Sequence, residues 1–501
     1  MPHLKLRPRD IQAYRACDLL SELLIYFLLL FGPWAFGTTQ PWSIWTMNAT
    51  GYALGILLFL KLSIRRLKGY RPPRWEFPLP DNPHAKGPAV ARALTVALAC
   101  LSVALTAWCL VSALNARATW RPHLLSFDYH DCLPWLPHSL DSAKSWPTFW
   151  MCLGLACAFW ALRDWILGKT DLEARLALGR ESKPGTPEAY FLPGRLRRLF
   201  WLLAVNGGLL AVEGIAQRLE GSGKLLFLVR PRVNPDAVTQ FGPWAYRSNA
   251  SQYFNLLWPV CVGFWWTLQL SHGRRWQHYL LLVCAALMAA CPIISSSRGG
   301  AMVTVGIVGL AAFLLVSLHL LLRARKAQET RARRLSLAVL LICFASALAL
   351  GLGLGWKNLA PRMREVQAGF DGRDELSERA LPMAADYPWF GTGPGTFETV
   401  FQLYRASVDS YWPAQLHNDW LETRITFGWL GSSLLWLSLL LVLARWFFPG
   451  DIHGGRRFMV LAWLAIAGCL VHARYDFPFQ IHSIVALFLT LCAVLSVLSR
   501  R

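Results

Sequence analysis

A few arginines and one histidine stand beside long apolar runs in this sequence, and their chemistry asks for an explanation. A charge in or next to hydrocarbon is expensive, so it tends to mark a site. Ser295-Ser296-Ser297-Arg298-Gly299-Gly300 joins two strongly apolar stretches with almost no loop. Arg298 therefore stands at a membrane boundary, where it either snorkels to lipid headgroups or serves a site. The adjacent glycine pair lets a backbone or a ligand approach closely. Farther on, Asp371-Gly372-Arg373 precedes a helix expected over Glu375 to Ala385. Asp386-Tyr387-Pro388-Trp389-Phe390 then leads into Gly391-Thr392-Gly393-Pro394-Gly395. That glycine run either simply reverses the chain or presents N–H groups to an anion. Gln415-Leu416-His417-Asn418-Asp419-Trp420-Leu421-Glu422 runs into another apolar stretch. Helical spacing places His417, Leu421 and Arg424 on one face, with the imidazole just outside the membrane. There His417 is either a structural interfacial residue or a chemical one.

Membrane helices must position these groups. Of 501 residues, 55% are hydrophobic and only 16% charged, where a soluble domain carries roughly a quarter charged. Leu19 to Phe36, Ala89 to Leu114, Ala301 to Leu322, Leu335 to Leu354, Phe427 to Leu443 and Ile484 to Leu498 hold few or no charges. Crossing the ~30 Å hydrocarbon core takes about 20 helical residues, which such blocks supply. The expected fold is an all-α integral membrane protein of about twelve transmembrane helices, centred near residues 27, 52, 102, 157, 206, 260, 285, 311, 344, 435, 464 and 489.

Lysines and arginines concentrate in alternate loops: Lys5 to Arg15, Lys61 to Arg92, Lys169 to Arg198 and Arg323 to Arg334. The positive-inside rule makes that side cytoplasmic and places both termini there. The first apolar block is expected to be a retained anchor, since it lacks a small-residue cleavage site. Three outward segments remain, near 115–147, 219–248 and 356–423, the last being the longest polar stretch. The Pro-rich segment from Tyr70 to Gly87 reads as an irregular connector. A net charge of +21 does not point to nucleic acid, because topology and anionic lipid account for it. Of twelve cysteines only Cys132 falls in an outward loop, and neither a disulfide framework nor zinc spacing is visible.

These segments, taken together, resemble the O-antigen ligase and polymerase superfamily over roughly residues 240 to 485. Ser296 to Gly299 is similar to the family's serine-arginine-glycine turn. Arg373 matches the arginine that precedes an Asp-x-Pro-x-x-Gly-x-Gly stretch, here Asp386 to Gly393. His417 to Glu422, followed by Gly428 and Gly431, is similar to the family's histidine-asparagine helix start. Arg474-Tyr475-Asp476-Phe477-Pro478 looks like its late aspartate-phenylalanine motif. One departure is Tyr246 to Tyr253, where relatives carry Asn-x-Asn-x-Phe-Ala, and no role is carried across it.

The resemblance implies a GT-C-like bundle with a large periplasmic loop. It divides the chain into N-terminal helices (1–240), a ligase-like core (241–485) that includes loop 356–423, and the last helix end with a cytoplasmic tail (486–501). The implied activity is an inner-membrane glycosyltransferase using a polyprenyl-diphosphate-linked glycan donor. Its acceptor would be lipid A core or a growing glycan, and its active site would face the periplasm. Arg298 and Arg373 would hold the diphosphate, and His417 would be the general base in a single inverting displacement. Arg247, Arg379 and Arg424 are further candidates for the anion or glycan. Trp389, Trp412 and Trp420 either stack on sugars or join an aromatic belt. No cofactor or metal is expected, as the outward loops lack an Asp-x-Asp signature, and Asp128 and Asp131 read as loop solvation. The alternatives are a polymerase of the same superfamily, a lipid-linked glycan transporter, which predicts matched halves of the chain, and a scaffolding subunit, which predicts no need for the arginines or His417.

Overall fold

A computed structural model describes residues 5–75, 89–178, 192–271, 276–323, 330–405, 413–444 and 456–498. Trp412, the connector beyond Trp75, and the loop charges Lys86, Arg180, Lys183, Arg325 and Lys326 lie outside the described residues. The helices are α1 (Pro8–Trp34), α2 (Pro41–Leu67), α3 (Ala89–Leu114), α4 (Ser142–Ile166), α5 (Asp171–Leu178), α6 (Gly194–Glu220), α7 (Arg247–Ser271) and α8 (Tyr279–Ile294). They continue as α9 (Arg298–Arg323), α10 (Thr330–Arg364), α11 (Val366–Asp386), α12 (Phe397–Val400), α13 (Asp419–Ala444), α14 (Arg456–His472) and α15 (His482–Leu498). A hairpin of β1 (Ala118–Arg121) and β2 (Ser126–Tyr129) precedes α4.

Eight of the described helices are long and apolar enough to cross a membrane, and three shorter apolar helices accompany them. Each expected centre falls inside a helix. Hydrocarbon offers no partner to backbone N–H and C=O groups, so helices that satisfy their own ladders are the solution an apolar sequence of this kind must adopt. The chain is a multi-pass membrane protein. Helix α7 is the central post: Phe254, Trp258, Phe264 and Trp265 are almost fully buried, and it packs on α8 and α14. A helix apolar all round is stable only when neighbours surround it.

Two charged layers lie at opposite ends of α6. At its start, Arg195 pairs with Asp18 of α1, and Lys61 of α2 lies 2.8 Å from both Asp18 and Asp164. Arg65 and Arg74 close on Asp164 at 2.6 and 2.9 Å. Removing one member of such a buried set leaves an unpaired charge, so the network fixes how α1, α2, α4 and α6 meet. Arg218 stands near the other end, about 35 Å away by helical rise, which is close to the thickness of the hydrocarbon core.

Helix α13 is broken at Gly428, whose φ of 64° and ψ of −172° suit glycine alone. The glycine run after Trp389 fills the break. Thr392 and Gly393 donate their N–H groups to the Ile425 and Thr426 carbonyls, and Trp429 and Leu430 donate to Pro388 and Trp389. The N–H groups of Thr392 and Gly393 are therefore spent on α13 rather than offered to an anion. A Cβ on Gly428 would lie 2.3 Å from the Trp389 carbonyl oxygen. Gly428→Ala is accordingly expected to destabilise the fold by about 1–3 kcal/mol, seen as a lower melting temperature in detergent. An unchanged melting temperature would show that the break is not held by this contact.

Two local expectations are corrected. The helix expected over Glu375 to Ala385 begins at Val366, so Arg373 lies within it; Gly372 meets open space and does not interrupt the turn. His417 is not on the face of α13, because the helix starts at Asp419 and His417 has a left-handed φ of 57°.

Candidate active site

The short links at the Arg218 end of the bundle bring the site together. In the His417–Glu422 run, each polar residue other than the histidine acts as a clamp. Asn418 caps α13 by accepting the Leu421 N–H at 3.3 Å. Asp419 donates its backbone N–H to the Ala473 carbonyl, and its carboxylate accepts from Phe479 N–H at 2.7 Å and from Gln480 at 3.3 Å. Glu422 reaches back to the Leu416 N–H at 2.8 Å. These bonds dock the start of α13 onto the α14–α15 link and force His417 out of the helix, toward Asp476.

Asp476 is 1% exposed and is the hub of the site. Its Oδ1 lies 3.2 Å from His417 Nδ1. Oδ2 accepts from Ser248 Oγ and lies 3.8 Å from Arg373 Nη2 and 3.9 Å from His472 Nε2. Burial alone would raise this carboxyl, but the hydrogen bond and charge of His417, with the charges of His472 and Arg373, hold it at about 2. Ionised Asp476 can only accept, so His417 Nδ1 carries the hydrogen, and in the neutral imidazole the lone pair is on Nε2. Because the folded value is depressed, its stabilisation is present above the ordinary carboxylate value and is lost as pH falls through about 2. Tyr246 stacks on Phe477 at 5.4 Å, and the His417 ring meets Phe477 edge-on at 4.8 Å. Burial and the neighbouring Asp476 push the Tyr246 hydroxyl up, so it stays protonated.

Against this pair lies a basin of arginines. Arg298 Nη1 donates to the Glu365 carbonyl at 2.7 Å, and Gly369 permits that approach, since a Cβ there would lie 2.3 Å from the guanidinium. Arg362 donates to the Ser296 carbonyl at 2.8 Å and Arg218 to that of Ser295 at 3.1 Å, which pins the left-handed turn at Ser296. Arg247 donates to the Val238 carbonyl at 2.7 Å. Arg218, Arg247, Arg298 and Arg362 each feel repulsion from another arginine, and Arg373 is the neighbour of Arg298 and Arg362 that completes the basin at five. Carbonyl partners orient a guanidinium without neutralising it. Asp476 and Glu365 lie nearby, so the basin keeps a positive excess. Arg298, Arg373 and His417 are only partly buried, which leaves them open to a ligand. Ser297, Ser248 and Asp476 form a hydroxyl chain from the Arg298 turn to the His417 partner.

Residues 283–437 match the family model described as O-antigen ligase. Across that segment the chain is similar to the O-antigen ligase family. The matched span holds Arg298, Arg362, Arg373 and His417, while Arg218, Tyr246, Arg247, Ser248 and Asp476 reach the same place from outside it. No curated protein matches the chain.

Among the other residues singled out from the sequence, Arg247 stands in the basin. Arg379 pairs with Glu375 at 2.6 Å on an exposed face of α11. Arg424 donates to the Ala384 carbonyl and lies over the Trp429 ring at 4.2 Å. Trp420 donates its indole N–H to the Leu470 carbonyl, and Trp389 is exposed. Sequence reading named Asp476 only as part of a motif and passed over Arg218, Arg362 and Ser248. A lone carboxylate in the short link between α14 and α15 was a usable signal for Asp476. Arg218 and Arg362 look in sequence like ordinary helix-end charges.

Proposed function

We propose that the chain is a glycosyltransferase that moves a glycan from a polyprenyl diphosphate carrier to an acceptor sugar hydroxyl. The observation that carries this reading is the arginine basin directly beside the His417–Asp476 pair. Arg298 and Arg373 bind the donor diphosphate, and Arg247, Arg218 and Arg362 deepen the positive field around it. Asp476 accepts from Nδ1–H of His417, so Nε2 takes the proton of the acceptor hydroxyl as its oxygen attacks the anomeric carbon. The bond from that carbon to the diphosphate oxygen breaks, and the leaving diphosphate keeps the electron pair. Fixed guanidiniums stabilise this growing charge more than the ground state, so the arginines can supply the neutralisation that a metal ion provides in other transferases. One displacement inverts the anomeric centre.

A lipid carrier brings its diphosphate to the membrane surface, and the position of Arg218 near one end of the long apolar helix α6 supports a basin at that level. The reading puts this end at the periplasmic face of the inner membrane, with both termini in the cytoplasm and about twelve spans. Ligase and polymerase share this chemistry and differ in acceptor.

The test is deletion of the encoding gene, followed by analysis of lipid-linked glycans. Full-length polymer left on the carrier is expected for a ligase acting on lipid A core, and single repeats for a polymerase. Unchanged surface polysaccharide and carrier-linked pools would overturn the assignment, and retention of cargo on the cytoplasmic face would indicate a transporter.

A further inference from the structure

A second recess opens away from the His417–Asp476 pair. Strand β1 with the turn after it, the start of α4 and α12 border an open crevice of about 560 Å³, lined by Trp120, Pro122, Leu125, Lys144, Glu398, Thr399 and Ala414. Its walls are firmly built. Asp141 is 1% exposed; it caps α4 through the Ala143 N–H at 3.1 Å and accepts the Trp120 backbone N–H at 3.2 Å. The hairpin is thereby pinned to α4, with Trp120 half-buried in the lining and its ring against Phe127 at 4.9 Å. Across the recess Lys144 Nζ meets Glu398 Oε2 at 2.6 Å, with the two side chains 42% and 33% exposed.

The composition of this lining differs from that of the arginine basin. Lys144 is neutralised by Glu398, so an anion has little to gain here, whereas a lipid chain would meet a charged pair. A sugar presents an apolar C–H face and a rim of hydroxyls that both donate and accept. An indole beside a part-exposed lysine–glutamate pair offers a partner to each, in a volume typical of ligand clefts. The crevice is also tied to the candidate active site. Ala414 lies three residues before His417 in the chain. Leu140 N–H and Ser145 Oγ bind the Thr392 and Pro394 carbonyls, at 2.8 and 2.9 Å, in the glycine run that fills the break in α13.

We infer that this crevice is a saccharide subsite, with Trp120 taking the face of a sugar ring and Lys144 and Glu398 its hydroxyls. The chain it holds comes from the acceptor or from the donor's glycan. Only the choice between those sources rests on the glycosyltransferase reading; the binding does not.

The test uses the full chain purified in detergent and oligosaccharides released by mild acid from the surface polysaccharide of the encoding strain. Calorimetric titration is expected to show binding by wild type and about three- to tenfold weaker binding by Trp120→Ala, a loss of the size stacking on an aromatic confers. Trp120→Phe should recover most of the affinity, Glu398→Gln should weaken it, and His417→Ala should leave it unchanged. No binding by wild type, or equal binding by Trp120→Ala with its fold intact, overturns the proposal. In a transfer assay, a KM rise confined to the acceptor assigns the crevice to the acceptor, and one confined to the donor assigns it to the donor glycan. If oligosaccharide binding holds while wild type transfers nothing, the subsite stands and the enzyme reading falls.

Discussion

Replacing His417 by alanine is expected to lower the rate of glycan transfer by about 10²–10⁴-fold, the contribution of a positioned general base, with normal expression and unchanged donor affinity. Asp476→Asn should be comparably damaging for a different reason. The carboxylate can only accept, whereas an amide turned to donate toward Nδ1 reverses the imidazole tautomer and protonates Nε2, a change that costs on the order of 10⁴ in a catalytic histidine–aspartate pair. Nitrogen chemical shifts of labelled His417 distinguish this from a packing defect. Wild type should show the Nδ1–H tautomer, and Asp476→Asn should lose that preference while its melting temperature stays near that of wild type. Because Asp476 is held at about 2, it remains ionised throughout the neutral range, and an inflection of rate between about pH 5 and 8 belongs to another group. Wild-type turnover by either variant would remove the base mechanism.

The second large effect concerns the basin. Arg298→Ala and Arg373→Ala are each expected to lower kcat/KM for the lipid-linked donor by about 10²–10³, the cost of losing one preorganised donor to a developing oxyanion. Lysine at either position should restore only part of it, since an ammonium keeps the charge but not the planar fork. Binding can be separated from folding with inorganic pyrophosphate. An anion that binds the folded state raises its melting temperature with concentration, so pyrophosphate should stabilise wild type and stabilise Arg298→Ala much less. The five guanidiniums already repel one another, so removing one relieves repulsion and should not by itself unfold the protein. Pyrophosphate stabilisation of equal size in wild type and both alanine variants would argue against a diphosphate site here.

Length and apolarity determined the scaffold from sequence alone. Runs near 20 residues without charge can only be helices in hydrocarbon, and each expected centre lies within one. The same reasoning picked out Arg298 and His417, because a charge or an imidazole at the edge of such a run stands out, whereas Arg373, inside the long polar segment, was singled out by its likeness to a family motif. Tertiary structure decided what those groups face. Asp476 lies 59 positions from His417, and no local periodicity reports a contact between two links at the end of a bundle. Ser295 to Ser297 look in sequence like a bare turn, yet Arg218 and Arg362 arrive from distant helices to hold two of their carbonyls. The left-handed backbone of His417 is likewise imposed from outside its own segment, by Asp419 gripping Phe479 and Gln480. Helix formation depends on neighbours three and four residues away, whereas the site depends on where whole helices end in space, which packing alone sets.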